Sequence, residues 1–137
     1  MSNPANLAHA FVDALNQHDV SLFDSFISAE TYINHNAFVD DGIDNAKATF
    51  AMFFQAFPDF AVTAEDVMIA GDKVIGRFTY TGTHQGNFMG NIPTGNTIHM
   101  RSIDIWRVQD GKFVEHWDEL NTLEFFGQLG AVPQVAA

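Results

Sequence analysis

The stretch SIDIWRVQDGKFVEHWDEL, Ser102 to Leu120, decides the fold. Apolar and polar residues alternate on both sides of Asp110-Gly111, and Asp-Gly between two alternating runs is a strong signal for a tight β-hairpin. Strand alternation puts Val114, His116, Asp118 and Leu120 on one face, and Phe113, Glu115, Trp117 and Glu119 on the other. A two-residue loop pairs Ile103 with Asp118 and Ile105 with His116. In that register Asp118 sits among Ile103, Ile105, Val114 and Leu120, where loss of water raises a carboxyl pKa and prepares it for proton transfer near neutral pH. A bulge at Gly111 would slip the register by one and bring Ser102 and Asp104 beside Asp118.

Working outward, the same period of two runs through Phe60–Ala70, Lys73–His84 and Asn96–Val108, with Gly71-Asp72 and a Gly-rich loop, Gly86–Gly95, between them. Before Phe60 the period is helical. Asn3–His18 carries Leu7, Ala8, Phe11, Val12 and Leu15 at helix spacing, with Pro4 suited to a first turn. A short helix is expected over Val20–Ile27 and a short strand over Glu30–Asn36. A third helix is expected over Asp44–Ala56, ended by Pro58. A last helix is read at Thr122–Leu129. Three helices from the N-terminal half and a curved antiparallel sheet that must cover one face predict an α+β cone around a cavity. No linker or repeat divides the 137 residues, so a single domain is expected, with 130–137 as a loose tail.

Bulk properties narrow the function classes. The chain is 47% hydrophobic with 14 Phe, a composition that builds a core and offers flat walls to a ligand. The formal net charge is −11, which repels nucleic-acid backbones and anionic membranes. Cys is absent, which removes disulfides, thiolate metal sites and thiol nucleophiles. No secretion signal or run of roughly 20 apolar residues is visible, so a cytoplasmic location is expected. No dinucleotide fingerprint, P-loop or Gly-x-Ser-x-Gly elbow is present. His116-x-Asp118 could offer two metal ligands from one strand face, but no HExxH or other ligand spacing appears, so no metal site is expected.

The candidate site therefore centres on Asp118 as acid/base, with His116 beside it. Ile75, Arg77, Thr79 and Thr81 share a face; if that face lines the cavity, Arg77 is the cation nearest Asp118. Tyr32, His35, Phe53, Phe57, His84, Ile103 and Ile105 complete the expected substrate wall. The alternative reading makes Asp118 an ordinary buried acid paired with Arg77, and His35 and His84 polar groups satisfied by nearby backbone. The outer sheet face, with Trp106, Trp117 and Phe113 assigned to it, is expected to form a homodimer or tetramer.

Tyr32-x-Asn34-His35-Asn36, Phe57-Pro58-Asp59-Phe60, Gly82-Thr83-His84-Gln85-Gly86, Pro93-Thr94-Gly95, Ser102-Ile103-Asp104-Ile105 and Glu115-His116-Trp117-Asp118 occur in that order. The ordered set resembles the SnoaL-like polyketide cyclase (ester cyclase) family of the nuclear-transport-factor-2-like superfamily, over nearly the whole chain. The resemblance implies a curved sheet with three helices around a deep pocket. It implies cofactor-independent intramolecular aldol closure of a hydrophobic, polyketide-like carbonyl substrate. An Asp of the last long strand serves as acid/base there, and that position is Asp118. Epoxide hydrolases of the superfamily pair an acid there with Arg-x-Asp on another strand; here Arg77-x-Thr79 lacks the second acid. Two other readings stay open: a non-catalytic ligand-binding or dimerisation module, and a hydratase or epoxide hydrolase.

Overall fold

A computed structural model describes residues 3–131. Helix α1 (Ala5–Asn16) buries Ala8, Phe11, Ala14 and Leu15, one stripe of a helical period. It stops at Asn16, whose side chain accepts from Val62 N (2.8 Å) and donates to Val62 O (3.0 Å), closing part of a sheet edge. A 3₁₀ turn (Val20–Ser25) follows, capped by Asp19, which accepts from Ser21 N at 3.0 Å. Strand β1 (Ile33–Asn34) leads into helix α2 (Ile43–Ala56). Four long strands complete the sheet: β2 (Ala61–Ala70), β3 (Lys73–Thr83), β4 (Thr97–Gln109) and β5 (Lys112–Leu120). Helix α3 (Thr122–Gln128) closes the pocket end. Of the tail expected over 130–137, Gly130 and Ala131 bond back to α3 (Gly130 N to Gly127 O, 3.0 Å; Ala131 N to Phe126 O, 2.9 Å), and 132–137 lie outside the described residues.

The sheet is open, α+β and mixed, in the order β1-β5-β4-β3-β2. The four long strands form the expected antiparallel meander, but β1 lies parallel to β5, pairing Ile33 with Glu115 and Asn34 with His116. No hairpin ties β1 to its neighbour, since α2 intervenes before the meander begins, so turn geometry does not set its direction.

The two-residue Asp110-Gly111 turn forms as read, with both residues at positive φ (53° and 75°) and Gln109 opposite Lys112. The register beyond it does not follow. Val108 pairs with Phe113, but Arg107 pairs with Glu115, so Val114 is an extra residue, a β-bulge. Phe113 and Val114 are both buried, which two successive residues of a regular strand facing one core cannot be. Phe113 stacks on Trp106 (ring centroids 4.6 Å apart) and its N–H donates to Phe26 O at 2.8 Å. From Glu115 onward every partner is displaced by one: Trp106 faces His116, Asp104 faces Asp118 and Ser102 faces Leu120.

This register corrects several expectations at once. Ile103 and Ile105 point to the outer face, Ile103 with 53% of its surface exposed, and neither lines the cavity. Arg77 also faces outward, paired with Ile103 across the strands and bonded to Asp66 (2.7 Å). Trp106 and Phe113, assigned to the outer face, lie in the core; Trp117 alone of the three is outside it. The inner face is built from Val74, Phe78 and Tyr80 of β3 and Ile98, Met100, Ser102, Asp104 and Trp106 of β4. Phe23, Phe26, Phe57 and Phe78 are almost wholly buried with Trp106 and Phe113, each worth roughly 1.5–3 kcal/mol of apolar transfer.

Candidate active site

Helices and inner sheet face enclose a cavity of about 220 Å³. Its walls are aromatic, including Phe23, Phe26, Phe50, Phe53 and Phe88, and its polar groups gather where β1, β4 and β5 meet. On β5 the alternation after the bulge aims His116 and Asp118 inward; on β4 it aims Ser102 and Asp104 at them. On the β1 segment Tyr32, Asn34 and Asn36 face the same cavity.

Asp118 is mostly buried, and Asn36 Nδ2 donates to both its carboxylate oxygens at 2.9 Å. Asn36 is itself fixed by accepting from Phe38 N at 2.7 Å. His116 Nε2 lies 2.7 Å from Asp104 Oδ2 and 3.9 Å from Asp118 Oδ2. On the other side of the ring His116 Nδ1 meets Asn34 Oδ1 at 2.9 Å, an oxygen that also accepts from Asn36 N (3.3 Å). Both ring nitrogens thus face oxygen atoms, which fixes the plane of the imidazole between Asp104 and Asn34. Ser102 Oγ donates to Asp104 Oδ1 at 2.5 Å, and Tyr80 O–H donates in turn to Ser102 (3.0 Å).

Within this cluster Asp104 has an imidazole and a hydroxyl in hydrogen-bond contact, while Asp118 has only an amide. Burial pushes the Asp118 carboxyl above its usual range; His116 and the Asn36 amide pull it down, and the negative charges of Asp104 and Glu119 push it up. Burial likewise lifts the Tyr32 and Tyr80 hydroxyls well above an ordinary phenol, so both remain protonated donors. Asp104, His116 and Asp118 place three potential metal ligands within 4.8 Å of one another, but the nitrogen an ion would use, His116 Nε2, is engaged by Asp104.

Of the residues expected at the site, the structure brings Asp118, His116, Tyr32 and Phe53 to one cavity. His35 is turned outward, stacked on Trp117 (5.0 Å) and bonded to Glu115 at 2.8 Å. His84 is wholly buried behind the wall, where its Nδ1 accepts from Thr94 N (3.3 Å) and meets Thr94 Oγ1 at 3.0 Å. Phe57 is core, packed against Phe53 and Phe88 rather than lining the cavity. Among the described residues no Lys or Arg lines the cavity, so the Arg–carboxylate pair of an epoxide-hydrolase site is missing. Asn34, Asn36 and Tyr80 were not assigned a role from sequence, and Ser102 and Asp104 stood beside Asp118 only in the slipped register, which the structure adopts. Alternation on the short strand, which sets Tyr32, Asn34 and Asn36 opposite His35, carried the signal for the two amides.

A family model described as SnoaL-like polyketide cyclase matches residues 5–129. The solved structure of TsrD from Streptomyces laurentii shares 30% identity over 96% of this chain and 99% of its own, with a TM-score of 0.87. AclR of Streptomyces galilaeus, described as a proposed hydroxylase, shares 30% identity over 97% of this chain and 88% of its own, TM-score 0.81. IdmH of Streptomyces antibioticus, described as a proposed polyketide cyclase, shares 27% identity over 94% and 99%, TM-score 0.77. No curated protein matches the chain.

Proposed function

From the premise that this chain belongs to the SnoaL-like polyketide cyclase family, we propose that it closes a ring in a hydrophobic carbonyl compound by an intramolecular aldol reaction, with Asp118 as acid/base. The observation that carries this reading is a carboxyl of raised pKa on the wall of an aromatic cavity, with an already paired Asp104–His116 couple beside it. The ionised Asp118 removes a proton alpha to one carbonyl. The resulting enolate carbon attacks a second carbonyl carbon; a C–C bond forms and the C=O π pair becomes an alkoxide. Asp118, now protonated, returns the proton to that alkoxide. Atoms and electrons balance with no co-reactant, and the raised pKa serves both transfers. The aromatic walls hold the chain folded with its reacting carbons close.

The reading is tested without the natural substrate. In heavy water the protein should accelerate deuterium uptake alpha to the carbonyl of a cavity-sized aryl ketone such as 1-tetralone. Asp118→Asn should reduce that exchange about 100-fold or more, the range of general acid–base catalysis. Equal exchange by wild type and variant would remove Asp118 from the chemistry.

We also propose that a second copy of this chain covers the outer sheet face. Ile103 and Met68 are more than half exposed there, beside Ile105 and Trp117. Of six Lys and Arg in the chain, Lys73, Arg77, Arg101 and Arg107 stand on this face, each bonded to an acid. On a protein of charge −11 this face is the region where a second copy meets least like-charge repulsion.

A further inference from the structure

Asp104 stands in the middle of a buried chain of side chains that reaches Asp118 through His116. Tyr80 bonds Ser102 (3.0 Å), Ser102 Oγ donates to Asp104 Oδ1 (2.5 Å), and Asp104 Oδ2 meets His116 Nε2 (2.7 Å). His116 Nδ1 ends the chain on Asn34 Oδ1 at 2.9 Å. The chain crosses four neighbouring strands, β3, β4, β5 and β1, so the sheet itself fixes its spacing. Tyr80, Ser102 and Asp104 are each 3% exposed and His116 8%. At that depth bulk water does not stand in for a missing partner, so each contact is held by the next.

His116 Nε2 has two carboxylates to choose from, Asp104 Oδ2 at 2.7 Å and Asp118 Oδ2 at 3.9 Å. The first distance is a hydrogen bond and the second is not. A ring nitrogen makes one such bond in its plane, so Asp104 holds it, whichever of the two atoms carries the shared proton. Asp118 keeps the Asn36 amide as its hydrogen-bond partner among the described residues and stays on the cavity wall. We infer that Asp104 is a positioning residue: with Ser102 and Tyr80 behind it, it holds His116 Nε2 away from Asp118 and leaves that carboxylate to the ligand. This rests on the reading of Asp118 as acid/base above. It adds a reason for a second buried acid so close to the first, where like charge alone works against both. Without Asp104, the carboxylate left within reach of Nε2 is Asp118. The ring would close the gap, occupy an oxygen of the base and draw its pKa down, the direction in which His116 already pulls from its present distance. A base capped in this way is weaker and harder for a ligand to reach.

The test pairs two replacements of Asp104 in the full chain. Asp104→Asn keeps an oxygen for Nε2, and Asp104→Leu is of similar size and keeps none. In the 1-tetralone exchange assay Asp104→Asn should stay within about threefold of wild type and Asp104→Leu should fall about tenfold or more, with tetralone binding held within about twofold in both. Adding His116→Phe to Asp104→Leu should recover most of the lost rate, because the group that capped Asp118 is gone. An unchanged rate in Asp104→Leu, or a double variant no faster than Asp104→Leu, overturns the positioning role and leaves the acid/base reading of Asp118 standing. No exchange by wild type overturns that reading instead, and the role of Asp104 is then read from the imidazole ¹⁵N resonances of His116, assigned by their loss in His116→Phe. Asp118→Asn should leave the Nε2 resonance in place while Asp104 is present, and should move it in Asp104→Leu. A resonance that moves with Asp118→Asn in the wild-type background places the Nε2 bond on Asp118 and overturns the role. That arm needs no Asp104 variant, so it decides the matter even if Asp104→Leu fails to fold.

Discussion

Asn36 is the residue whose removal most directly tests the electrostatics of Asp118. Its amide donates to both carboxylate oxygens and so favours the ionised form. Asn36→Ala should therefore raise the Asp118 pKa further and move the acid limb of the exchange rate to higher pH; an unmoved limb would deny the amide that role. Asp118→Asn has a stability consequence of opposite sign to its effect on activity. The folded-state pKa of Asp118 lies above the unfolded value, so this group favours the fold below the unfolded pKa of about 3.9, and that contribution is lost as pH rises through the folded value. At neutral pH the Asn variant should melt higher than wild type, with the advantage vanishing in strong acid; a melting point lowered at pH 7 would contradict the raised pKa. Asp118, His116 and Tyr32 were readable from alternation and motif order. The removal of His35 and Arg77 from the site was not, because each is held outside by acids distant in sequence, Glu115 and Asp66.

At the scale of elements, two backbone features hold the cavity in shape. The Val114 bulge replaces Ile103 and Ile105 by Asp104 and Trp106 opposite the cavity-lining face of β5. The other is the seat of the Gly86–Gly95 loop on the end of α2, where Gln85 N and Gly86 N both donate to Ala56 O at 3.0 Å. A Cβ on Gly86 would stand 2.5 Å from Gln55 O and 3.1 Å from Ala56 Cα, both backbone atoms that cannot swing aside. Gly86→Ala should cost about 1–3 kcal/mol in denaturant unfolding and disturb the wall carrying Phe88, whereas Gly90→Ala meets no atom within 4 Å and probes backbone strain alone at φ 84°. Equal stability of Gly86→Ala and wild type would sink the close-approach account. Helix and strand boundaries agreed with the periodic pattern to within a few residues, because side-chain period is a local property of the chain. The pattern admitted a bulge at Gly111 but could not choose it over the regular register; it falls at Val114, through the pull of Phe113 toward Trp106 and Phe26, contacts that form only when sheet and helices meet.

For the whole molecule, charge and shape act together. Among the described residues no helix is long and apolar enough to cross a membrane, and the exposed apolar groups of the sheet collect where the cations do. Placing a charge at the centre of that face, Ile103→Glu, should shift the protein from dimer to monomer in native mass spectrometry while leaving tetralone binding intact, since Ile103 does not line the cavity. A wild type that stays monomeric at micromolar concentration would discard the dimer.

The amino-acid sequence by itself determined the order of elements, the single α+β architecture, the tight Asp110-Gly111 turn and the strand that carries Asp118. All of these rest on period and on local turn chemistry. Only the tertiary structure decided which face of each strand looks inward, because one inserted residue reverses every side chain beyond it. It therefore also decided that the companions of Asp118 are Asp104, His116 and Asn36 rather than Ile103, Ile105 and Arg77.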